Sequence, residues 1–305
     1  MTAWQPLPEL PAGTGEVPHL GMVPVVWPTG QRGEHLAEHG YTPGTERDHL
    51  RVAPATAAYA IRTFTRPGAT VIDPDCGAGT VLVEALHCGR HAVGVARGRR
   101  WWTLARANLT AAKRQGAAAD GMVLPTSRAG DLTASADLIL TAWRPSADTT
   151  TPSDAADGTR PGSVEWLAGM LTWSRSLLRP GGHLVVAARP QRRHGYLLDG
   201  PGHIQRAALA ARLLPVARCI ALQVPLRESE LNLQPSLAQQ RAVARCERLT
   251  GHPITVTAHH DILVFRAPDT AAQAAAAEVP APSRIPPRLR ERADAGLREL
   301  VGGAA

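Results

Sequence analysis

The stretch that most constrains the fold is Asp73-Pro74-Asp75-Cys76-Gly77-Ala78-Gly79-Thr80. It follows a short apolar run at residues 69–72 and precedes a helical pattern at residues 81–86. Glycines let a backbone approach a ligand closely, and the first turn of the next helix presents free N–H groups there. The order of strand, acid, Gly-x-Gly turn and helix therefore predicts a nucleotide-type cradle.

The rest of the chain alternates strand-like and helix-like segments. The strand-like segments are residues 70–73, 91–95, 122–124, 136–141, 183–187, 217–224 and 261–265, and the helix-like ones are 53–61, 81–86, 101–112, 164–178, 202–214 and 237–249. This alternation predicts an α/β fold with a doubly wound, mostly parallel sheet. We expect a Pro- and Gly-rich arm at 1–50 (with a short strand or docking segment at 23–27), a domain at 51–268, and an Ala/Pro-rich linker with a charged tail at 269–305. Residues 144–163 form a long polar loop.

Composition narrows the class of protein. The 305 residues carry a net charge of +7, almost all of it from arginine, since Lys113 is the only lysine. That excess indicates a polyanionic partner. No apolar run reaches membrane length and no secretory signal is recognisable, so we expect a cytoplasmic protein with no membrane partner. The four cysteines lack metal-ligand spacing, which predicts reduced thiols and no metal site.

The string D-P-x-C-G-x-G-T resembles motif I of S-adenosylmethionine (SAM) dependent methyltransferases, in the branch that methylates exocyclic amino groups of bases. The resemblance implies a Rossmann-like sheet, mostly parallel with an antiparallel last strand, and SAM as cofactor. It also implies that Asp73 and the backbone near Gly77 and Gly79 hold the amino-acid end of SAM. The cofactor-binding residues expected on this basis are Asp73, Pro74, Cys76, Gly77, Ala78, Gly79, Thr80 and Ala96.

Two positions of the resembled family are not kept. An acid at the end of the second strand is expected to bind the ribose hydroxyls, but Ala96 and Arg97 stand there. Another acid is expected to face the adenine amino group after the third strand, where Thr126 and Ser127 stand. Asp131 is displaced by four residues from Ser127, so we expect that it does not take this role.

The end of the fourth strand carries the catalytic expectation. The family places an Asp, Asn or Ser, then Pro-Pro and an aromatic residue there, to hold and stack on a flipped base. This chain has Ala142-Trp143-Arg144-Pro145 after Thr141. The candidate catalytic residues are therefore Thr141, Trp143 and Pro145, and Arg144 is a candidate phosphate ligand.

A second basic stretch extends the resemblance. The sequence around Arg189, Arg192 and Arg193 resembles a basic segment in one group of bacterial DNA methylases. These three arginines are expected to contact nucleic acid, because Arg neutralises phosphates and stacks on bases.

The function implied by the resemblance is transfer of a methyl group from SAM to an amino nitrogen of adenine or cytosine in DNA. Three alternatives stay open. The first is a catalytically degenerate relative that binds nucleic acid or a protein partner. The second is an RNA base methyltransferase, and the third is a small-molecule methyltransferase.

Overall fold

The computed structural model describes residues 23–31, 36–132, 135–143, 162–193, 196–228 and 230–269. Its centre is an eight-stranded sheet flanked by helices. The strands are β1 (Val26–Trp27), β2 (Thr70–Asp73), β3 (His91–Ala96), β4 (Gly121–Pro125), β5 (Ala136–Trp143), β6 (Leu178–Ala188), β7 (Arg192–Arg193), β8 (Tyr196–Leu197), β9 (Leu214–Leu222), β10 (Leu226–Arg227), β11 (Glu230–Leu231) and β12 (His259–Arg266). The helices are α1 (Pro54–Phe64), α2 (Thr80–His87), α3 (Gly98–Arg114), α4 (Val164–Leu177), α5 (Gly200–Ala210) and α6 (Leu237–Thr250).

The order of the strands confirms the predicted fold class. The large sheet runs β1-β9-β12-β6-β5-β2-β3-β4, and β12 alone is antiparallel to its neighbours. From β2 the chain winds outward to β3 and β4, then returns to β5 on the other side of β2. The fold is thus a doubly wound, Rossmann-like α/β sheet with an antiparallel last strand, and its topological switch point lies between β2 and β5.

Alternate residues of β2 enter opposite halves of the core. Val71 packs with α1, α2 and α3 on one face of the sheet, while Ile72 packs with α4 and α5 on the other. Successive strand residues point to opposite faces, so a strand covered on both sides is apolar throughout. Burial of both faces fixes β2 firmly, and the loop that follows it therefore starts from a rigid support.

The described part of the N-terminal 50 residues packs against the domain. Val26 and Trp27 pair in parallel with Ile220 and Ala221 of β9. Trp27, Tyr41 and Val52 all lie in the same core cluster as α1 and α2. Packing therefore continues across the boundary expected at residue 50. Residues 1–22 and 270–305, most of the expected arm and tail, lie outside the described residues.

One element differs from its expected bounds. Residues 179–182, which separate the helix-like range 164–178 from the strand-like range 183–187, lie inside β6, which begins at Leu178. Ala136 pairs with Leu178 while Leu138 pairs with His183, so extra residues bulge out of the strand. Gly181 has φ +76°, the left-handed conformation such a bulge requires. In the described ranges, no helix is long and apolar enough to span a bilayer.

Candidate active site

The loop after β2 has the geometry of a ligand cradle. Gly77 and Gly79 adopt positive φ values of 49° and 82°, which glycine reaches without strain. The N–H of Gly79 donates to the carbonyl of Cys76 at 2.6 Å and closes the turn immediately before α2. Gly94 of β3 makes room for the turn, since a Cβ there would lie 2.9 Å from the Cys76 side chain. Strand, glycine turn and helix meet at the switch point, as predicted.

Asp73 ends β2 beneath this loop and is almost fully buried. Burial raises the pKa of its carboxyl to about 8, and the nearby carboxylates of Asp75 and Asp48 act in the same direction. The N–H of Asp75, which donates to Asp73 Oδ1 at 3.1 Å, and the Thr141 hydroxyl act in the opposite direction. Asp73 is therefore largely protonated at neutral pH, and a cation placed against it would favour its ionised form.

Asp48 is a site residue that sequence reasoning missed. Its Oδ2 accepts a hydrogen bond from the N–H of Ala78 at 2.7 Å, so a side chain from the N-terminal region binds the glycine loop. A Cβ on Gly77 would lie 2.1 Å from that same oxygen. No pattern in the sequence singled out Asp48, because the amide that it binds lies 30 residues further along the chain.

An ion pair lies at the end of β3, where an acid was expected. Ala96 is buried, and Arg97 binds Asp75 through Nε at 2.9 Å and Nη2 at 2.5 Å. The Arg97 guanidinium also lies 4.8 Å from the ring centre of Trp166 on α4. Burial raises the pKa of the Asp75 carboxyl, and Arg97 counteracts this only in part. The ion pair thus places the Asp75 carboxylate at the end of β3, where a ribose-binding acid was expected. This acid comes from the glycine loop and not from β3 itself.

The segment after β4 offers no buried acid. Thr126 starts a 3-10 turn that ends at Asp131, and its hydroxyl donates to the carbonyl of Ala96 at 3.4 Å. Asp131 pairs with Arg128 at 2.8 Å, and both side chains are exposed. The Asp131 side chain is therefore exposed to solvent and paired with Arg128 of the same 3-10 turn.

The end of β5 carries two buried polar atoms. Trp143 Nε1 is buried and forms no hydrogen bond within the described ranges, and Thr141 Oγ1 is buried next to the Asp73 carboxyl. Trp143 is only 2% exposed and packs in the core cluster of α4 and α5. Buried polar groups without partners are uncommon in folded proteins, so Trp143 Nε1 is an exception at the end of β5. Pro145 and Arg144 lie outside the described residues.

A small open cleft of about 20 Å³ lies beside Trp143 at the carboxyl ends of β5 and β6. Its wall is formed by His49, Leu50, Arg51, Ala142, Trp143, Ala187, Arg189 and His260. Arg189 Nε donates to His260 Nε2 at 3.3 Å, and Arg51 Nη1 donates to the carbonyl of Asp48 at 2.7 Å. The cleft is therefore apolar at its base and cationic at its rim, a combination that suits a flat ring bearing an anionic group.

The two remaining predicted arginines lie on a small hairpin next to this cleft. Arg192 and Arg193 form β7, which begins three residues after Arg189 and pairs with β8. Arg192 Nη2 donates to Thr255 Oγ1 at 2.5 Å, which fixes the hairpin to the segment before β12. The structure thus brings Arg189, Arg192 and Arg193 to one side of the candidate site. No group of three or more His, Cys, Asp or Glu in the described ranges is arranged to hold a metal ion.

Comparison with known proteins gives one curated relative. No family model matches the chain. A segment of 90 residues is 33% identical to the protein named "Putative methylase YubD" of Escherichia coli (strain K12). The match covers 28% of this chain and 40% of that protein, so it spans well under half of the relative's length.

The chain is also similar, at low identity, to solved structures of methyltransferases. One is geranyl diphosphate C-methyltransferase from Streptomyces coelicolor, 12% identical with a TM-score of 0.45, covering 70% of this chain and 76% of that one. Another is a SAM-dependent methyltransferase from Methanosarcina mazei, 11% identical with a TM-score of 0.45, covering 68% of this chain and 97% of that one. At such identities the activities of these proteins do not transfer to this chain.

Proposed function

We propose that the chain is a SAM-dependent methyltransferase that acts on an exocyclic amino group of adenine or cytosine in DNA. The observation that carries the proposal is the left-handed glycine turn between Asp73 and α2, at the switch point of the sheet. The cationic cleft at the ends of β5 and β6 opens beside it. A cofactor cradle and an acceptor cleft next to each other are what group transfer between two bound molecules requires.

The residues of the cradle fit SAM. The buried carboxyl of Asp73 suits the ammonium of the methionine portion, because a cation restores the charged form that burial disfavours. The first turn of α2 suits the carboxylate, and Asp75 offers an acceptor for ribose hydroxyls. Bound SAM supplies a methyl group on a sulfonium, ready for attack by a nitrogen lone pair.

The residues around the cleft suit a nucleobase that lies across its mouth. Apolar contacts from Ala142 and Ala187 suit the faces of a flat ring, and Arg189 suits the adjoining phosphate. The buried Thr141 hydroxyl, next to Asp73, is the polar side chain that this chain retains at the end of β5 for a target amino group. The chain's part in the reaction is to orient the amino nitrogen and exclude water. The amino nitrogen would form a bond to the methyl carbon as the bond from that carbon to sulfur breaks, which would leave S-adenosylhomocysteine, and the extra proton of the amino group would pass to solvent.

One observation favours a second candidate function, a degenerate relative that binds nucleic acid or a protein partner without catalysis. The Asp48 carboxylate already binds the Ala78 amide, and Arg97 already binds Asp75. Both contacts engage groups that a cofactor would use. In this alternative they hold the cradle closed, and the cleft alone carries the function.

Calorimetry with SAM separates the two functions. The methyltransferase is expected to bind SAM at micromolar to low millimolar concentration, and complete absence of heat at millimolar SAM overturns it. Transfer of a radiolabelled methyl group to genomic DNA, total RNA or small-molecule extracts then distinguishes the acceptors. Label in DNA supports the proposed substrate, while label confined to RNA or small molecules overturns it.

A further inference from the structure

The segment between β9 and β12 contains a helix that contributes nothing to the core. Helices α1 to α5 each bury several residues, whereas α6 buries none. Residues 223–258 therefore form an insertion that projects from the sheet, with the β10–β11 hairpin ahead of α6. A helix that gives the core nothing is a candidate for contact with something outside the chain.

Capping residues at both ends specify helix α6, which has no buried residue. Ser236 Oγ accepts from the N–H of Gln239 at 3.2 Å, and Gln239 Oε1 accepts from the N–H of Ser236 at 2.8 Å. This reciprocal capping box starts α6, and Gly251 ends it in a left-handed conformation. Capping at both ends specifies the helix even though no apolar face anchors it.

Three arginines occupy one face of α6. Arg241, Arg245 and Arg248 are spaced by four and three residues, which aligns them along the helix over about 10 Å. All three are exposed, and none forms an ion pair or side-chain hydrogen bond with another described residue. The nearby carboxylate of Glu247 is engaged elsewhere, since its Oε1 accepts from the N–H of Ile254 at 3.2 Å.

The segment just after α6 contacts the β7–β8 hairpin beside the cleft. Just beyond α6, the His252 ring lies 6.1 Å from the ring of Tyr196 in β8, and Thr255 binds Arg192. Tyr196 is 66% exposed, so an aromatic ring stands between the two basic elements. We define the arginine ridge as Arg192, Arg193, Arg241, Arg245 and Arg248. It joins the cleft at Arg189.

We propose that the arginine ridge binds the phosphate backbone of duplex DNA, with the face of α6 lying along one strand. Phosphates recur every 3.4 Å of helix axis along a strand, so the 10 Å length of the face spans about three of them. The guanidinium groups of Arg241, Arg245 and Arg248 form no ion pair with another described residue, so they bind phosphate without first breaking one. The inference rests on the proposed function only in taking DNA as the partner, because the ridge lies outside the cofactor cradle.

The test compares two variants that each lose two positive charges. R241Q/R245Q removes charge from the ridge, and R66Q/R114Q removes it from exposed positions after α1 and at the end of α3. Affinity for a 30-base-pair duplex is measured against salt concentration without SAM. Each lost phosphate contact lowers the slope of log K against log salt by about 0.9, so R241Q/R245Q is expected to lower it by about 1.8. The R66Q/R114Q variant is expected to keep the wild-type slope.

Four results overturn the proposal: no duplex binding by the wild type, a flat salt response, equal slopes for both variants, or binding confined to an RNA hairpin or anionic vesicles. SAM calorimetry on the same proteins keeps this test separate from that of the proposed function. If wild type fails to bind SAM but shows the slope change, the ridge stands and the methyltransferase falls. If SAM binds equally to all three proteins but the slopes are equal, the ridge falls alone.

Discussion

The glycine loop after β2 and the end of β3 lie side by side, yet they differ in what their side chains leave available. The loop retains the backbone shape of a cradle, with Gly77 and Gly79 in left-handed conformations. The end of β3 presents Arg97, bound to Asp75, where an acid was expected. Backbone shape and side-chain chemistry are therefore specified independently here. The sheet fixes the backbone shape of the loop, while individual residues decide which chemical groups it presents. Four substitutions or conditions test this comparison.

Gly77→Ala is expected to have the largest effect, because it changes the backbone shape itself. The new Cβ would lie 2.1 Å from Asp48 Oδ2. The alanine would also have to adopt the left-handed φ of +49° that glycine has here. Strain and displacement of Asp48 together are expected to cost about 3 kcal/mol of unfolding free energy and to reduce SAM affinity more than 100-fold. Chemical denaturation and calorimetry measure the two effects.

Gly68→Ala is the matched control for Gly77→Ala. Gly68 has φ +80° but nothing within 4 Å of its added Cβ. Backbone strain alone, about 1 kcal/mol, is expected to destabilise this variant, with no change in SAM affinity. Equal loss of SAM affinity in both variants would mean that the loop has no specific role in the cradle.

The second prediction concerns pH, and it follows from the raised pKa of Asp73. With a pKa of about 8, the carboxylate fraction is about 1% at pH 6 and about half at pH 8. If the ionised form binds the SAM ammonium, apparent affinity rises by up to about 50-fold across this interval, since affinity scales with the competent fraction. Calorimetry at several pH values measures it, and Asp73→Asn should bind weakly with no such rise. A pH-independent affinity in the wild type would contradict this role.

The order of strand, glycine loop and helix was predictable from sequence, since it depends on short local patterns. Short apolar runs and the Gly-x-Gly turn specify β2, β3, β5 and the loop. The contact between Asp48 and Ala78 joins residues 30 positions apart, so no local pattern could indicate it. The bulge in β6 was not predictable for a related reason. Pro-Gly-Gly indicates a turn, but the residues before and after it both pair with β5, so the turn becomes a bulge within the strand.

The third prediction concerns Asp48, which joins the N-terminal region to the loop. Asp48→Ala removes the acceptor of the Ala78 amide and is expected to cost about 2 kcal/mol of unfolding free energy, because a buried donor is left without a partner. Asp120→Ala is the control, since Asp120 forms an exposed ion pair with Lys113 and should cost under about 1 kcal/mol. SAM affinity should fall with Asp48→Ala. An increase would instead mean that Asp48 blocks the cradle, as the degenerate alternative requires.

The smallest expected effect belongs to Arg97, the residue that replaces the expected acid. Arg97→Gln removes the partner of the Asp75 carboxylate, whose side chain is 14% exposed, and is expected to cost about 1 kcal/mol because Arg97 itself is partly open to solvent. If Asp75 accepts ribose hydroxyls, releasing it from Arg97 should change SAM affinity by less than tenfold, and Asp75→Asn should weaken it further. Unfolding and calorimetry on both variants decide the point. A gain of tenfold or more with Arg97→Gln would show that the ion pair closes the cradle, and the end of β3 would then be a barrier to the cofactor instead of a contact for it.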